Sequence, residues 1–252
     1  MERNRREKGI VLAQRNWGDL HRLITLLSPQ LGIIDVVAYG ARKGKHAGGI
    51  EPFTCGTFFL YENRVKKSYS LSDVEVELSP SLMKEDLLRR YISSAIGEMT
   101  LLFHGGDYQA IYDLLIETLM LFEHDDVASQ RLFIQYVIRL IEIMGILDDV
   151  THCPVCNNPY SDDEVLSFNT SLNTPCCLKC SDITQEVNQL LLGSGMRRYI
   201  QFTRTLALSE AVQVEISQRA TERLFRYMVG YVTTIIQRPL KSFSGGILEL
   251  CI

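Results

Sequence analysis

Four cysteines in two Cys-x-x-Cys pairs, Cys153/Cys156 and Cys177/Cys180, carry the clearest chemistry in this chain. Each pair places two thiolates on one tight turn, and two such turns can close a four-sulfur shell around one zinc ion with Zn–S of about 2.3 Å. Turn-forming residues surround them: Pro154 follows the first ligand, Asn157-Asn158-Pro159 leaves the first pair, and Asn173-Thr174-Pro175 leads into the second. Four sulfurs leave no position for water or substrate, so the spacing predicts a structural zinc rather than a catalytic one. Cys176 offers a competing thiolate one position early and stands as an alternative to Cys177; His152 adjoins the first pair. Disulfides are the competing use of such pairs, but an odd total of seven cysteines without a secretory leader suits a reducing, cytoplasmic compartment. Cys55 and Cys251 then read as buried thiols.

The elements that position these residues can be read from composition and periodicity. With 252 residues, 46% hydrophobic and 22% charged, the chain reads as a soluble globular protein with one large core or two smaller ones. No apolar run approaches the ~20 residues of a membrane span. The net charge of −4 hides an asymmetry: residues 1–72 hold 12 Lys/Arg against 6 Asp/Glu, leaving 14 against 24 for residues 73–252. A polyanionic partner would therefore meet the first part.

That first part reads as β-structure, with strands expected at Lys8–Arg15, Leu20–Ser28, Ile33–Tyr39, Phe53–Tyr61 and Val65–Leu71. Five short strands suit a small closed barrel, an OB-fold or an SH3-like barrel, because closure removes exposed edges. The longest loop, residues 40–49, combines Arg42, Lys43 and Lys45 with four glycines, a composition suited to phosphate contacts. Arg15 and Arg22 near the first turn and Lys66-Lys67 on the fifth strand extend the basic set, while Trp17, Phe53 and Tyr69 are candidates to stack on bases or to fill the core.

From Ser79 onward the apolar period changes from two to 3.6, with Ser79-Pro80 expected to start a helix. Helices are expected through Met99, at Tyr108–Phe122 with Asp107 as cap, at Ala128–Met144 and at Val214–Ile236, with shorter ones at Ile183–Leu192 and Met196–Leu206. The architecture is thus α+β in two domains: a barrel over residues 1–78, then a helical domain over 79–252 with the cysteine insertion at about 151–182. There is no nucleophile elbow, P-loop, dinucleotide fingerprint or zincin motif, and the acidic pairs fall at helix ends and loops, so no enzymatic activity is expected.

In order and spacing, several segments together resemble the RecO family of bacterial recombination mediators. They are Gly9-Ile10-Val11-Leu12, Trp17-Gly18-Asp19-Leu20-His21-Arg22-Leu23, Gly32-Ile33, Tyr39-Gly40-Ala41-Arg42-Lys43, Pro52-Phe53, Met144-Gly145-Ile146, both cysteine pairs and Arg238-Pro239-Leu240-Lys241-Ser242. The resemblance implies an OB-fold followed by a helical domain with a four-cysteine zinc site. It implies binding of single- and double-stranded DNA, annealing of complementary strands and, with RecR, loading of RecA onto DNA coated by single-strand-binding protein. On this chain it assigns zinc to Cys153, Cys156, Cys177 and Cys180, and DNA contacts to Arg22, Arg42, Lys43 and Lys45. It also implies a cytoplasmic, nucleoid-associated protein that hydrolyses no nucleotide. The competing class is a zinc-containing protein-interaction scaffold without direct DNA binding, which the acidic residues 73–252 would suit.

Overall fold

The computed structural model describes residues 4–42, 48–81, 85–103, 105–124, 126–146, 150–182 and 190–252. By packing, the chain forms two compact units, one of Met1–Arg90 with Gly97–Glu123 and one of Tyr91–Ile96 with His124–Ile252.

Five strands build the first unit: β1 (Asn4–Trp17), β2 (His21–Ser28), β3 (Gly32–Ala38), β4 (Cys55–Asn63) and β5 (Ser68–Leu78). They close into a barrel in the order β1-β2-β3-β5-β4. All pairings are antiparallel except β3 with β5, where Val36 lies beside Tyr69 and Val37 beside Ser70. Alternate residues of each strand point inward, and Val11, Ile24, Leu26, Val36, Phe58 and Leu60 fill the barrel. Long β1 bends at an irregularity between Val11 and Ala13, and there Phe53 and Thr54 take over its backbone bonds: Val11 N–H donates to Thr54 O (3.0 Å) and Phe53 N–H to Val11 O (2.7 Å). The β4–β5 contact leaves no room for a side chain at Gly56, since a Cβ there would overlap the carbonyl oxygen of Glu75.

Two strand expectations need correction. The fifth strand begins at Ser68 rather than Val65, so Lys66 and Lys67 lie in the β4–β5 turn, with Lys67 at a φ of 47° and Lys66 N–H bound to Asn63 Oδ1. That strand then runs on to Leu78, and Ser79-Pro80 starts no described helix. The cap of α1 (Leu87–Leu102) is Asp86, whose carboxylate accepts from Arg89 N–H. Helix α2 (Tyr108–Phe122) has Asp107 as its cap and packs on β1 and β2, so the first unit extends beyond residue 78 to include it. Tyr108 fits there because Gly32, at a φ of 71°, has no side chain: a Cβ would sit 2.8 Å from the tyrosine ring.

The second unit is built on α3 (Ser129–Ile143) and on α6 (Gln218–Ile236), which pack together. Their contact is aromatic, with Phe133 and Phe225 at 4.5 Å between ring centroids and Phe243 within 5.7 Å of both. Between them in sequence come the short strands β6 (Ser167–Asn169) and β7 (Thr174–Cys176), then α4 (Ser194–Thr203) and α5 (Leu208–Ala211). Helix α6 starts later than expected because Ser217 caps it, accepting from Ala220 N–H. Helix α4 starts earlier, at Ser194; most of the short helix expected at Ile183–Leu192 lies outside the described residues. No described helix is long and apolar enough to cross a membrane.

Candidate metal centre and nucleic-acid face

The first cysteine turn is closed by Asn157 N–H donating to Cys153 O (2.7 Å) and Cys153 N–H donating to Asn158 O (2.9 Å). Asn157 takes a φ of 57°, a conformation asparagine tolerates better than most residues. The second turn follows β7 directly: Cys177 caps the short turn Leu178–Cys180, and Cys180 N–H returns to Cys177 O at 2.9 Å. Pairing of β6 with β7 sets Ser167 opposite Cys176 and buries the Cys176 side chain, while the next residue, Cys177, turns toward the first knuckle. The four ligand atoms of Cys153, Cys156, Cys177 and Cys180 all lie within 4.8 Å of one another; Cys176 is not in that group.

Side chains brace the second knuckle from behind. Asp182 accepts from the backbone and hydroxyl of both Thr170 and Ser171 at 2.7–3.1 Å, and these backbone donors hold its carboxyl below the ordinary range. Asn169 Nδ2 donates to Cys180 O at 3.1 Å, and Phe168 packs against Tyr231 of α6 at 5.3 Å between ring centroids. On the other side, Arg197 of α4 is buried, donates to Ser161 O and Asp162 O, and lies over the Tyr160 ring at 5.6 Å.

The donor set fits a thiolate-binding metal. Burial works against ionisation of Cys153, but backbone N–H groups of Cys177, Cys156 and Val155 are aimed at its sulfur and bring its pKa down to about 6. Cys180 is pushed up to about 12, chiefly because its thiol bonds to Cys177. A soft divalent ion bound by the four sulfurs would displace the protons they share.

The cationic residues sit on the turns of the barrel. Arg42 is exposed and fixed to the β1–β2 turn, its N–H donating to Leu20 O (3.2 Å) and its Nη1 to Asp19 O (2.9 Å). Arg22 opens β2, half-buried, with Nη1 bound to Gln14 Oε1; with Gln14, Arg15 and Asn16 it lines a cavity of about 250 Å³. Arg22 and Arg42 are thus brought to the same turn, while exposed Lys66 and Lys67 occupy the β4–β5 turn. Lys43 and Lys45 lie outside the described residues. Of the aromatic candidates, Trp17 is 48% exposed, whereas Tyr69 packs against the barrel core and Phe53 against Gly97. Sequence reasoning missed Tyr39, 63% exposed just after β3, and His21 beside it. The signal available was strand alternation, which turns Tyr39 outward once Ala38 is placed inside.

A closed barrel with strand order β1-β2-β3-β5-β4, joined to a helical unit in which four cysteines could hold a metal ion, is the architecture of an OB-like barrel protein with a helical domain. Residues 1–79 match the family described as Recombination protein O N terminal, and residues 84–243 match Recombination protein O C terminal. The chain belongs to the RecO family. Its relatives include proteins named DNA repair protein RecO from Desulforamulus reducens (24% identical over 237 residues, 92% of this chain and 90% of the relative). Those of Symbiobacterium thermophilum (25% over 241 residues, 93% of each chain) and Syntrophotalea carbinolica (26% over 243 residues, 93% and 91%) are similar along the same length.

Proposed function

We propose that this chain is a DNA-repair protein that acts by binding and exchange, as a recombination mediator, and performs no covalent catalysis. The observation that carries the reading is a RecO-family match across both halves of the chain together with cations on the two turns that OB-folds use for oligonucleotides. Arg22 stands beside the β1–β2 turn, Arg42 reaches that turn from the loop after β3, and the β4–β5 turn supplies Lys66 and Lys67; Lys43 and Lys45 follow Arg42 in sequence. These groups bind phosphate without reading sequence, which suits a protein that must accept both single- and double-stranded DNA and anneal complementary strands.

In this reading residues 1–78 hold DNA and residues 79–252 hold partner proteins: RecR, single-strand-binding protein and, indirectly, RecA. The protein works in the cytoplasm at the nucleoid. Zinc is the ion proposed for the four sulfurs; when bound it cross-links the two knuckles and supplies folding energy. Cys153 presents a thiolate to it, Cys156, Cys177 and Cys180 complete the shell, and Asp182 and Arg197 hold the surrounding loops. The test is fluorescence anisotropy with labelled single-stranded DNA at several salt concentrations, followed by an annealing assay. Binding that falls steeply with salt and annealing faster than the uncatalysed rate are expected; absence of binding at low salt would transfer the assignment to a protein-interaction scaffold.

A further inference from the structure

At one end of the barrel three aromatic rings stand in a row across β1, β2 and β3. Trp17 and His21 are directly opposed in the β1–β2 ladder, which places them on one face, and the His21 and Tyr39 rings meet edge to face at 5.0 Å. The row is outward-facing: Ala38, just before Tyr39, is in the barrel core, as is Ile24, three residues after His21. His21 is held in place by Gly40 N–H, which donates to its Nδ1 at 3.0 Å. Elsewhere α2 packs on β1 and β2, yet Trp17 and Tyr39 remain 48% and 63% exposed. Cations flank the row, with the Arg15 guanidinium 5.8 Å from the Trp17 ring and Arg42 on the adjoining turn beside Asp19.

We propose that Trp17, His21 and Tyr39 form a stacking platform for unpaired bases, a contact that single-stranded DNA can make and duplex DNA cannot. The proposal rests on the DNA-binding reading above and divides the labour within it. Arg15, Arg22 and Arg42 meet phosphates, which both forms of DNA present. The rings meet base faces, which a duplex keeps inside its own stack. Every base has such a face, so the platform is indifferent to sequence.

Trp17 is the only tryptophan in the chain, so its fluorescence reports on this surface alone. Unlabelled single-stranded oligonucleotide should quench its emission in step with binding measured by anisotropy, and a blunt duplex of the same sequence should bind with little quenching. Trp17→Leu and Tyr39→Ala should each weaken single-strand binding about tenfold while changing duplex binding less than twofold, and Trp17→Phe should restore most of the loss. The exposure of both side chains keeps these variants folded, which an unchanged denaturation midpoint would verify. If single strands bind without quenching and Trp17→Leu binds as tightly as the parent, the platform is refuted while DNA binding stands. If the parent protein binds neither DNA, the reading beneath it fails as well.

Discussion

The sulfurs of Cys156 and Cys177, which stand 21 positions apart in the chain, lie 3.9 Å from each other. A tetrahedron drawn with Zn–S bonds of about 2.3 Å has edges of about 3.8 Å, so the two knuckles are already spaced for one ion. Chelation, or Cys153→Ser, should release one metal ion per chain and lower the thermal midpoint of the helical unit by several degrees. Metal analysis by mass spectrometry distinguishes the neighbouring thiols: Cys176→Ser should keep its ion and Cys177→Ser should lose it. Retention of full metal content by Cys177→Ser would overturn the assignment.

Removing cations should change affinity without changing the fold. Arg42→Ala, and the double variant Lys66→Ala with Lys67→Ala, should each weaken DNA binding and reduce the salt dependence, by about one unit of slope for every phosphate that the variant no longer neutralises. Titrations from low to moderate salt measure this slope. An unchanged slope in the double variant would remove the β4–β5 turn from the DNA surface.

Closure of the barrel depends on Gly56. In Gly56→Ala the new methyl group meets the Glu75 carbonyl, and neither backbone can withdraw without breaking the β4–β5 ladder. A loss of about 3 kcal/mol or more in urea denaturation is expected, at the upper end for a single substitution. A variant as stable as the parent would show that β4 and β5 separate more freely than their register indicates.

Stability at alkaline pH should depend on Cys55. Burial, with the nearby Glu77 charge second, pushes this thiol up to about 12, whereas an unfolded thiol ionises near ~8.5. The folded pKa is raised, so the contribution is complete below the unfolded pKa and is lost as pH rises toward 12. Denaturation midpoints measured from pH 8 to 10.5 should fall for the parent and fall less for Cys55→Ala; parallel curves would refute the linkage.

Adjacent arginines should behave differently. Arg197 is buried on the carbonyls of Ser161 and Asp162, so Arg197→Ala should cost about 2 kcal/mol of stability. Exposed Arg198→Ala should cost less than about 0.5 kcal/mol. Urea denaturation of the two variants measures both.

Much of this molecule is written in short stretches of chain. The Asp107 cap and the apolar face of Tyr108–Phe122 are local, and that helix was legible to the residue. The two Cys-x-x-Cys turns were legible because a knuckle needs only four consecutive residues and the turn formers around them. Local signals misled where two were superimposed. Val65 looked like the start of a strand, but the β4–β5 pairing places it in the turn, 95% exposed. Strand β5 likewise runs on to Leu78, and the helix start expected at Ser79-Pro80 leads into residues 82–84, which lie outside the described residues.

The amino-acid sequence by itself determined the two Cys-x-x-Cys turns, the switch from strand to helix, the basic character of the first 72 residues and the family. Tertiary structure alone decided which of Cys176 and Cys177 faces the other knuckle, that β3 pairs with β5 to close the barrel, that α2 lies on it, and that Trp17, His21 and Tyr39 share one face. Periodicity and turn chemistry are set by neighbours a few bonds away. The other choices depend on residues far apart in the chain meeting one another, a geometry that exists only after the intervening segments have packed.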